Sequence, residues 1–334
     1  MAANSTIHPT LLDFSKRLDP DHKIAKIVEI LEQQNPILTD MVWQEGNLPT
    51  GHKTTVRTGL PAPTWRKLYG GVQPTKSTTA QVTDACGMLE AYAEVDKALA
   101  DLNGNTASFR LSEDLAHIEG MNQEFAQTLL YGDANSPEEF VGLASRYNDK
   151  TATNGENILT SAASPDASDN SSIWLVGWGA NTIHGIFPKG SQSGLNMQDL
   201  GEVTIENVDG NGGRMQGYRS HYRWDCGVSV RDWRYAVRVQ FDAEDLVKDA
   251  ASGPDLIDLL SEATEMLPSL NGCTPIFYGN RKSMSFLKRQ IANKVAASTL
   301  TSETVGGQHV TMFEGIPFRR CDAITNTEAG VTTA

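Results

Sequence analysis

Residues 112–131, SEDLAHIEGMNQEFAQTLLY, decide the fold. Leu115, Ile118, Met121 (or Asn122), Phe125 and Leu129 recur at steps of three and four. That spacing puts apolar side chains on one face of a helix of about five turns. Ser112 offers an N-cap oxygen, and Glu113 and Asp114 place negative charge at the positive end of the helix dipole. Gly132 follows the last periodic residue and suits a left-handed C-cap. At ~1.5 Å per residue such a helix runs roughly 30 Å, about the diameter of a small domain. Other elements can be laid along it. A core helix of any α+β protein reads the same way, so the flanking sequence has to discriminate.

Upstream, residues 39–80 change character: Thr, Val, Trp and Tyr stand between Gly and Pro punctuation. They read as an extended β-hairpin or long loop with too few apolar residues for a core of its own. A two-stranded hairpin alone is marginal in water, so it must lie on its own body or on another subunit. Charge sharpens the choice. Residues 46–83 contain no Asp or Glu but carry Lys53, Arg57, Arg66, Lys67 and Lys76. Residues 84–149 hold thirteen acids against three basic residues. A basic excursion next to an acidic segment favours docking on an acidic surface, and Glu113, Asp114, Glu119 and Glu124 of the long helix are the candidate acceptors.

Along the rest of the chain, residues 1–19 read as an arm. Asp19-Pro20 opens a short helix carrying Ile24, Ile27, Val28 and Leu31, which stops before Pro36. A helix is expected from Thr83 with Met88, Tyr92, Val95 and Leu99 on one stripe, and another helix from the Ser136-Pro137 entry. Residues 149–172 and 190–217 read as loops, with a short strand at Ile158-Leu159. Residues 172–179 read as a buried strand. Residues 218–242 read as one long strand with a β-bulge between Arg231 and Asp232, its second half keeping Arg234, Arg238 and Gln240 on a wet face. A helix over 253–268, a strand at 273–279, an Asn280-capped helix and a last strand in GIPFRRCDAI follow; the tail beyond Asn326 reads as frayed.

With 334 residues, 39% hydrophobic and 21% charged, the chain has the composition of one large globular domain or two ordinary ones. No run of 18 apolar residues and no signal-peptide pattern occurs, so a cytoplasmic protein without a membrane span is expected. The net charge of −13 argues against nucleic-acid binding over the whole surface. Four dispersed cysteines read as free thiols, and no Cys/His spacing suits zinc; no cofactor is expected. Gly212 and Gly217 have phosphate-loop spacing, but Tyr218 stands where Lys is required. GSQSG at 190–194 has Gln192 where a nucleophilic Ser belongs. His117 and the group His221, Asp225, Cys226 read as polar residues beside regular structure, and the five arginines between 219 and 238 are interspersed with Asp225 and Asp232. No catalytic constellation survives.

The order of parts, together with WDCGVSVRDWRYAVRVQFD (224–242), TPIFYGNRKSMSFLKRQ (274–290) and GIPFRRCDAI (315–324), resembles the major capsid proteins of tailed bacteriophages, with their Hong Kong 97-like α+β fold. The resemblance implies an N-terminal arm at 1–38 and an extended E-loop at 39–80. It implies a peripheral domain at 81–250 with 112–131 as spine helix, an axial domain at 251–310, and a return strand and tail at 311–334. It implies hexamers and pentamers closing into an icosahedral virion shell, assembled in the host cytoplasm around double-stranded DNA held without sequence specificity. Portal, scaffold and decoration proteins are the implied partners. No long N-terminal scaffolding-like helical region is present, so the scaffold would be a separate protein. Some relatives crosslink a Lys to an Asn; Lys53, Lys67 and Lys76 lie in the right region, but no activated site is visible and no crosslink is expected. Two alternatives stay open: the shell of an encapsulin-like cellular compartment, and a soluble α+β enzyme with an unrecognised site.

Overall fold

The computed structural model describes residues 33, 35–104, 106–161, 168–206, 212–250, 252–293, 300–305 and 308–332. The arm over 1–19 and the helix expected after it lie outside the described residues. In chain order the elements are α1 (Ile37–Asp40), β1 (Trp43–Glu45), β2 (Gly51–Gly59), β3 (Thr78–Ala85), β4 (Gly87–Asp96), α2 (Lys97–Ala100), α3 (Thr106–Tyr131) and α4 (Leu143–Arg146). Next come β5 (Ile158–Ser161), β6 (Asn170–Trp178), β7 (Ile183–Phe187), β8 (Asn196–Glu206), β9 (Arg214–Val230) and β10 (Ala236–Asp242). The chain finishes with α5 (Leu256–Met266), β11 (Thr274–Gly279), α6 (Arg281–Asn293), β12 (Leu300–Val305), β13 (Gln308–Phe313) and β14 (Ile316–Arg320).

Two units form. One contains residues 88–126 and 194–225; the other contains 34–87, 127–193 and 226–334. In the first, β8 runs antiparallel to β9, and β4 lies on the opposite edge of β9. The α3 side chains Phe109, Met121 and Phe125 pack on this sheet: Phe109 meets Val95 and Leu99, Met121 meets Ala93 and Tyr222, and Phe125 stacks on Trp224 with centroids 4.6 Å apart. In the second unit the strands lie in the order β5-β10-β6-β11-β14-β13-β12, with β10/β5 and β11/β14 parallel. Helices α5 and α6 cover this sheet with Leu256, Leu260, Ala263 and Leu287, which meet Leu175, Val237, Val239 and Phe277. Burying each of the Leu, Val and Phe side chains contributes about 1.5–3 kcal/mol. All nine residues of β6 are buried, as befits a strand covered on both faces.

Six expectations are corrected. The segment from Thr83 is not a helix. Residues 87–96 form β4, because Leu89, Ala91, Ala93 and Val95 alternate toward α3 with period two while Met88, Glu90 and Tyr92 face out. Helix α3 begins at Thr106, six residues before Ser112; the Ser112 hydroxyl instead donates to the Phe109 carbonyl at 2.8 Å inside the helix. Gly132 does end α3, but it is absent from the residues with positive φ. It is required for close approach, since a Cβ there would lie 2.2 Å from the Phe140 carbonyl oxygen. Residues 218–242 are two strands, not one bulged strand: a 3₁₀ turn at Trp233–Tyr235, capped by Asp232, separates β9 from β10. The loop expected at 190–217 contains β8, and the serine-proline entry leads only to the single turn α4.

The wet face assigned to β10 is also dry. Arg238 and Gln240 are 4% and 0% exposed because the C-terminal tail covers them. Gln240 donates to the Ala329 carbonyl at 2.9 Å and accepts the Val331 amide at 2.8 Å. Arg238 pairs with Glu328 at 2.8 Å. The Glu328 carboxylate also accepts from Ser172 and, at 2.5 Å, from Tyr131. Thr332 and Asn148 close the strap at 3.0 Å. The tail expected to fray beyond Asn326 is therefore fastened through Thr332.

Candidate inter-subunit surface

The basic excursion is an antiparallel hairpin. Strand β2 pairs with β3 from Gly51↔Ala85 to Gly59↔Thr78, with a bulge between Arg57 and Gly59. Nine residues at ~3.3 Å each make an arm of roughly 30 Å. Its root is seated. A Cβ on Gly51 would lie 2.1 Å from the Asp84 carbonyl oxygen, so only glycine lets the strands close there. The Asp84 carboxylate accepts from Ser229 at 2.8 Å and pairs with Arg146 at 2.8 Å. Asn47 clamps Lys53 through two backbone hydrogen bonds of 2.7 Å.

Beyond the root the hairpin has no core. From residue 55 to residue 83 not one residue is buried. The tip turns at Gly70, whose amide donates to the Lys67 carbonyl at 3.0 Å, with Tyr69 at φ 61°. Trp65, Leu68 and Tyr69 are fully or almost fully exposed, at 104%, 84% and 103%. Large aromatic groups left in water over such a stretch mark a surface meant to be covered. Lys53, Arg57, Arg66, Lys67 and Lys76 are all exposed, and among the described residues none pairs with an acid.

The four acids of α3 separate. Asp114 is buried beside Tyr222, and burial together with that carboxylate pushes the Tyr222 phenol above its ordinary range. The Glu119 carboxylate accepts from the Gln33 amide at 3.1 Å and from Gln123 at 2.7 Å. Glu113 is half-buried and Glu124 is exposed. Eleven residues apart, these last two fall within roughly 20° of one another around the helix, with Gly120 between them open to space. The expected stripe also splits: Met121, Phe125 and Leu129 are buried, whereas Leu115 and Ile118 are 57% and 36% exposed.

The arginines between 219 and 238 are engaged inside their own units: Arg219 with Glu94, Arg223 with Asp225, Arg234 with Asp232, Arg238 with Glu328, and Arg231 with the Ala180 carbonyl. His221 lies 3.3 Å from Glu90 and stacks on Tyr92. No cluster of three metal-ligating side chains occurs among the described residues, and none of their helices is long and apolar enough to cross a membrane.

The family model for major capsid protein GP7 matches residues 19–332. The chain belongs to the major capsid protein GP7 family. A chain in the near-atomic structure of bacteriophage Epsilon15 is similar to this capsid protein along its whole length: 35% identity, 100% of both chains covered, TM-score 0.79. The bacteriophage JBD30 capsid gives 9% identity over 88% of this chain and 93% of that one, at TM-score 0.46. The capsid of a native GTA particle gives 11% identity over 66% and 93%, at TM-score 0.42. Among curated proteins none matches. The capsid protein therefore has the Hong Kong 97-like fold and serves as a structural subunit of a phage's icosahedral shell, many copies of it making the virion capsid. That reading stands over the encapsulin-like one on the family match.

No sequence signal singled out the Asp84 seat, although Asp84 is the first acid after the acid-free stretch and marks where the hairpin returns. Trp65 and Tyr69 were legible as tip residues only once their exposure was known.

Proposed function

We propose that the β2–β3 hairpin is the E-loop by which each copy grips the next around a ring. The observation that carries this is the absence of any buried residue from 55 to 83. Lys53, Arg57, Arg66, Lys67 and Lys76 meet acids on the neighbour's α3, chiefly the exposed Glu124, with the half-buried Glu113 on the same face. Glu119 borders them, and Asp114 is turned inward. Trp65, Leu68 and Tyr69 anchor the contact. A head-to-tail contact of this kind closes into rings, here pentamers and hexamers. Each exposed ion pair adds only ~0–1 kcal/mol, so the aromatic anchors and repetition around the ring must carry the rest. Residues 251–310 act as the axial unit and the segment around α3 as the peripheral unit, as the resemblance implies. The shell encloses double-stranded DNA without sequence-specific contacts, is assembled in the host cytoplasm with a separate scaffold and a portal, leaves its outer surface open to a decoration protein, and performs no catalysis of its own.

The test is assembly at neutral pH, followed by light scattering and electron microscopy. The double variant Arg66→Glu, Lys67→Glu is expected to stop ring formation, and Glu124→Lys in the same chain is expected to restore part of it. Trp65→Ala is expected to weaken assembly without changing the subunit's melting temperature. Variants that close into normal shells at wild-type concentrations would overturn the proposal.

A further inference from the structure

Two histidines lie under the root of the hairpin. His184, on β7, is 0% exposed, and among the described residues neither of its ring nitrogens has a hydrogen-bond partner. Its ring meets His52 edge to face, with centroids 5.8 Å apart. His52 stands on β2 opposite Asp84 of β3, and its Nδ1 accepts the Asn47 amide at 3.3 Å. His184 in turn stands opposite Ser229 of β9. The charged groups around the pair come from every neighbouring element. Asp84 belongs to β3 and is tied to Ser229 and to Arg146 of α4. Arg231 follows β9 and is held by the Ala180 carbonyl and Asn181 at 3.1 and 3.2 Å.

A neutral imidazole needs one donor and one acceptor satisfied, and His184 has neither; a charged imidazole in the same place fares worse. The Asp84 carboxylate is already bound to a guanidinium and a hydroxyl, while Arg231 and the second imidazole repel an added proton. Water is what His184 lacks, and it reaches the ring only if the hairpin root lifts.

We propose that His52 and His184 make the hairpin root a pH-sensitive hinge, latched while both rings are neutral and loosened from β7 and β9 when they are protonated. Burial, then the neighbouring His52, then Arg231 push His184 from its ordinary 6.5 down to about 4. His52 is lowered as well, by burial first. The closed root therefore binds fewer protons than an opened one. Its stability is complete above pH 6.5 and is lost as the pH falls toward 4. Any effect on the grip between copies rests on the E-loop reading; the hinge itself does not.

Hydrogen exchange by mass spectrometry on the full-length protein tests this, with rates corrected for the intrinsic pH dependence of exchange. Amides of 50–56 and 81–86 are expected to open about 30-fold more often at pH 5 than at pH 8, relative to amides of β6. His184→Leu is expected to flatten that step. Should that variant fold poorly, the half-buried His52→Gln is expected to reduce it. Root amides that track β6 throughout the pH range, or a full step surviving in both variants, would overturn the hinge. The E-loop reading fails separately, through tip variants that assemble normally at pH 8.

Discussion

Glu328 shows how much one side chain can fasten. Its carboxylate accepts hydrogen bonds from Arg238, Ser172 and Tyr131, and it is 5% exposed. The ion pair alone need not stabilise the fold, because desolvating both charges offsets their attraction. Removing one partner is another matter, since it strands a buried charge. Glu328→Gln is expected to cost about 3–5 kcal/mol in urea unfolding, and the double variant Arg238→Met, Glu328→Leu less than the sum of the single changes. Burial pushes the Cys321 thiol up to about 12. At pH 8 it holds almost no thiolate, so iodoacetamide is expected to spare Cys321 in the native protein and label it after unfolding. None of this clasp was legible in the sequence. Alternation put Arg238 and Gln240 on the same face as Arg234, which is indeed solvated, and alternation cannot see a tail arriving from ninety residues away to cover the other two.

At the level of elements, legibility followed the number of partners an element has. Strand β6, helices α5 and α6 and the C-terminal part of α3 from Met121 on bury a continuous face, and their apolar spacing reports it. Residues 87–99, which hold β4 and run into α2, carry Met88, Tyr92, Val95 and Leu99 at helical spacing and Leu89, Ala91, Ala93 and Val95 at strand spacing. Two weak periods compete there, and only pairing with β9 decides between them. Strand β8 is almost wholly exposed, and Ile205 alone among its residues is buried, too little to give a pattern. The split face of α3 has a measurable consequence. Phe125→Ala, at a stacked and buried ring, is expected to lower subunit stability by about 3–5 kcal/mol, whereas Leu115→Ala, at a 57% exposed position, is expected to change it by less than ~0.5 kcal/mol. Thermal melts of the two variants side by side check the contrast.

For the whole molecule, charge is the feature the sequence carried most faithfully: a hairpin of five cations, which pair with no acid among the described residues, in a chain of net charge −13. The number of cations was readable, but not which acids stay exposed to meet them, because burial removed Asp114, internal hydrogen bonds occupied Glu119 and Glu113 is half-buried with an interaction of its own. If the rings are held partly by these pairs, the subunit concentration at which shells form is expected to rise between ~50 and ~500 mM salt, as exposed attractions are screened. Light scattering across that range measures it; a concentration that does not move would leave the aromatic tip as the sole anchor. The bare hairpin also bears on heredity. Residues 55–83 contribute no buried side chain to their own subunit; if the E-loop proposal holds, selection reaches them through another copy. A change at the tip survives when the surface it meets changes with it, and the two drift as a pair. In a cell that makes both the original protein and a charge-swapped pair such as Lys67→Glu with Glu124→Lys, each kind is expected to find its own, and mixed shells to be rare.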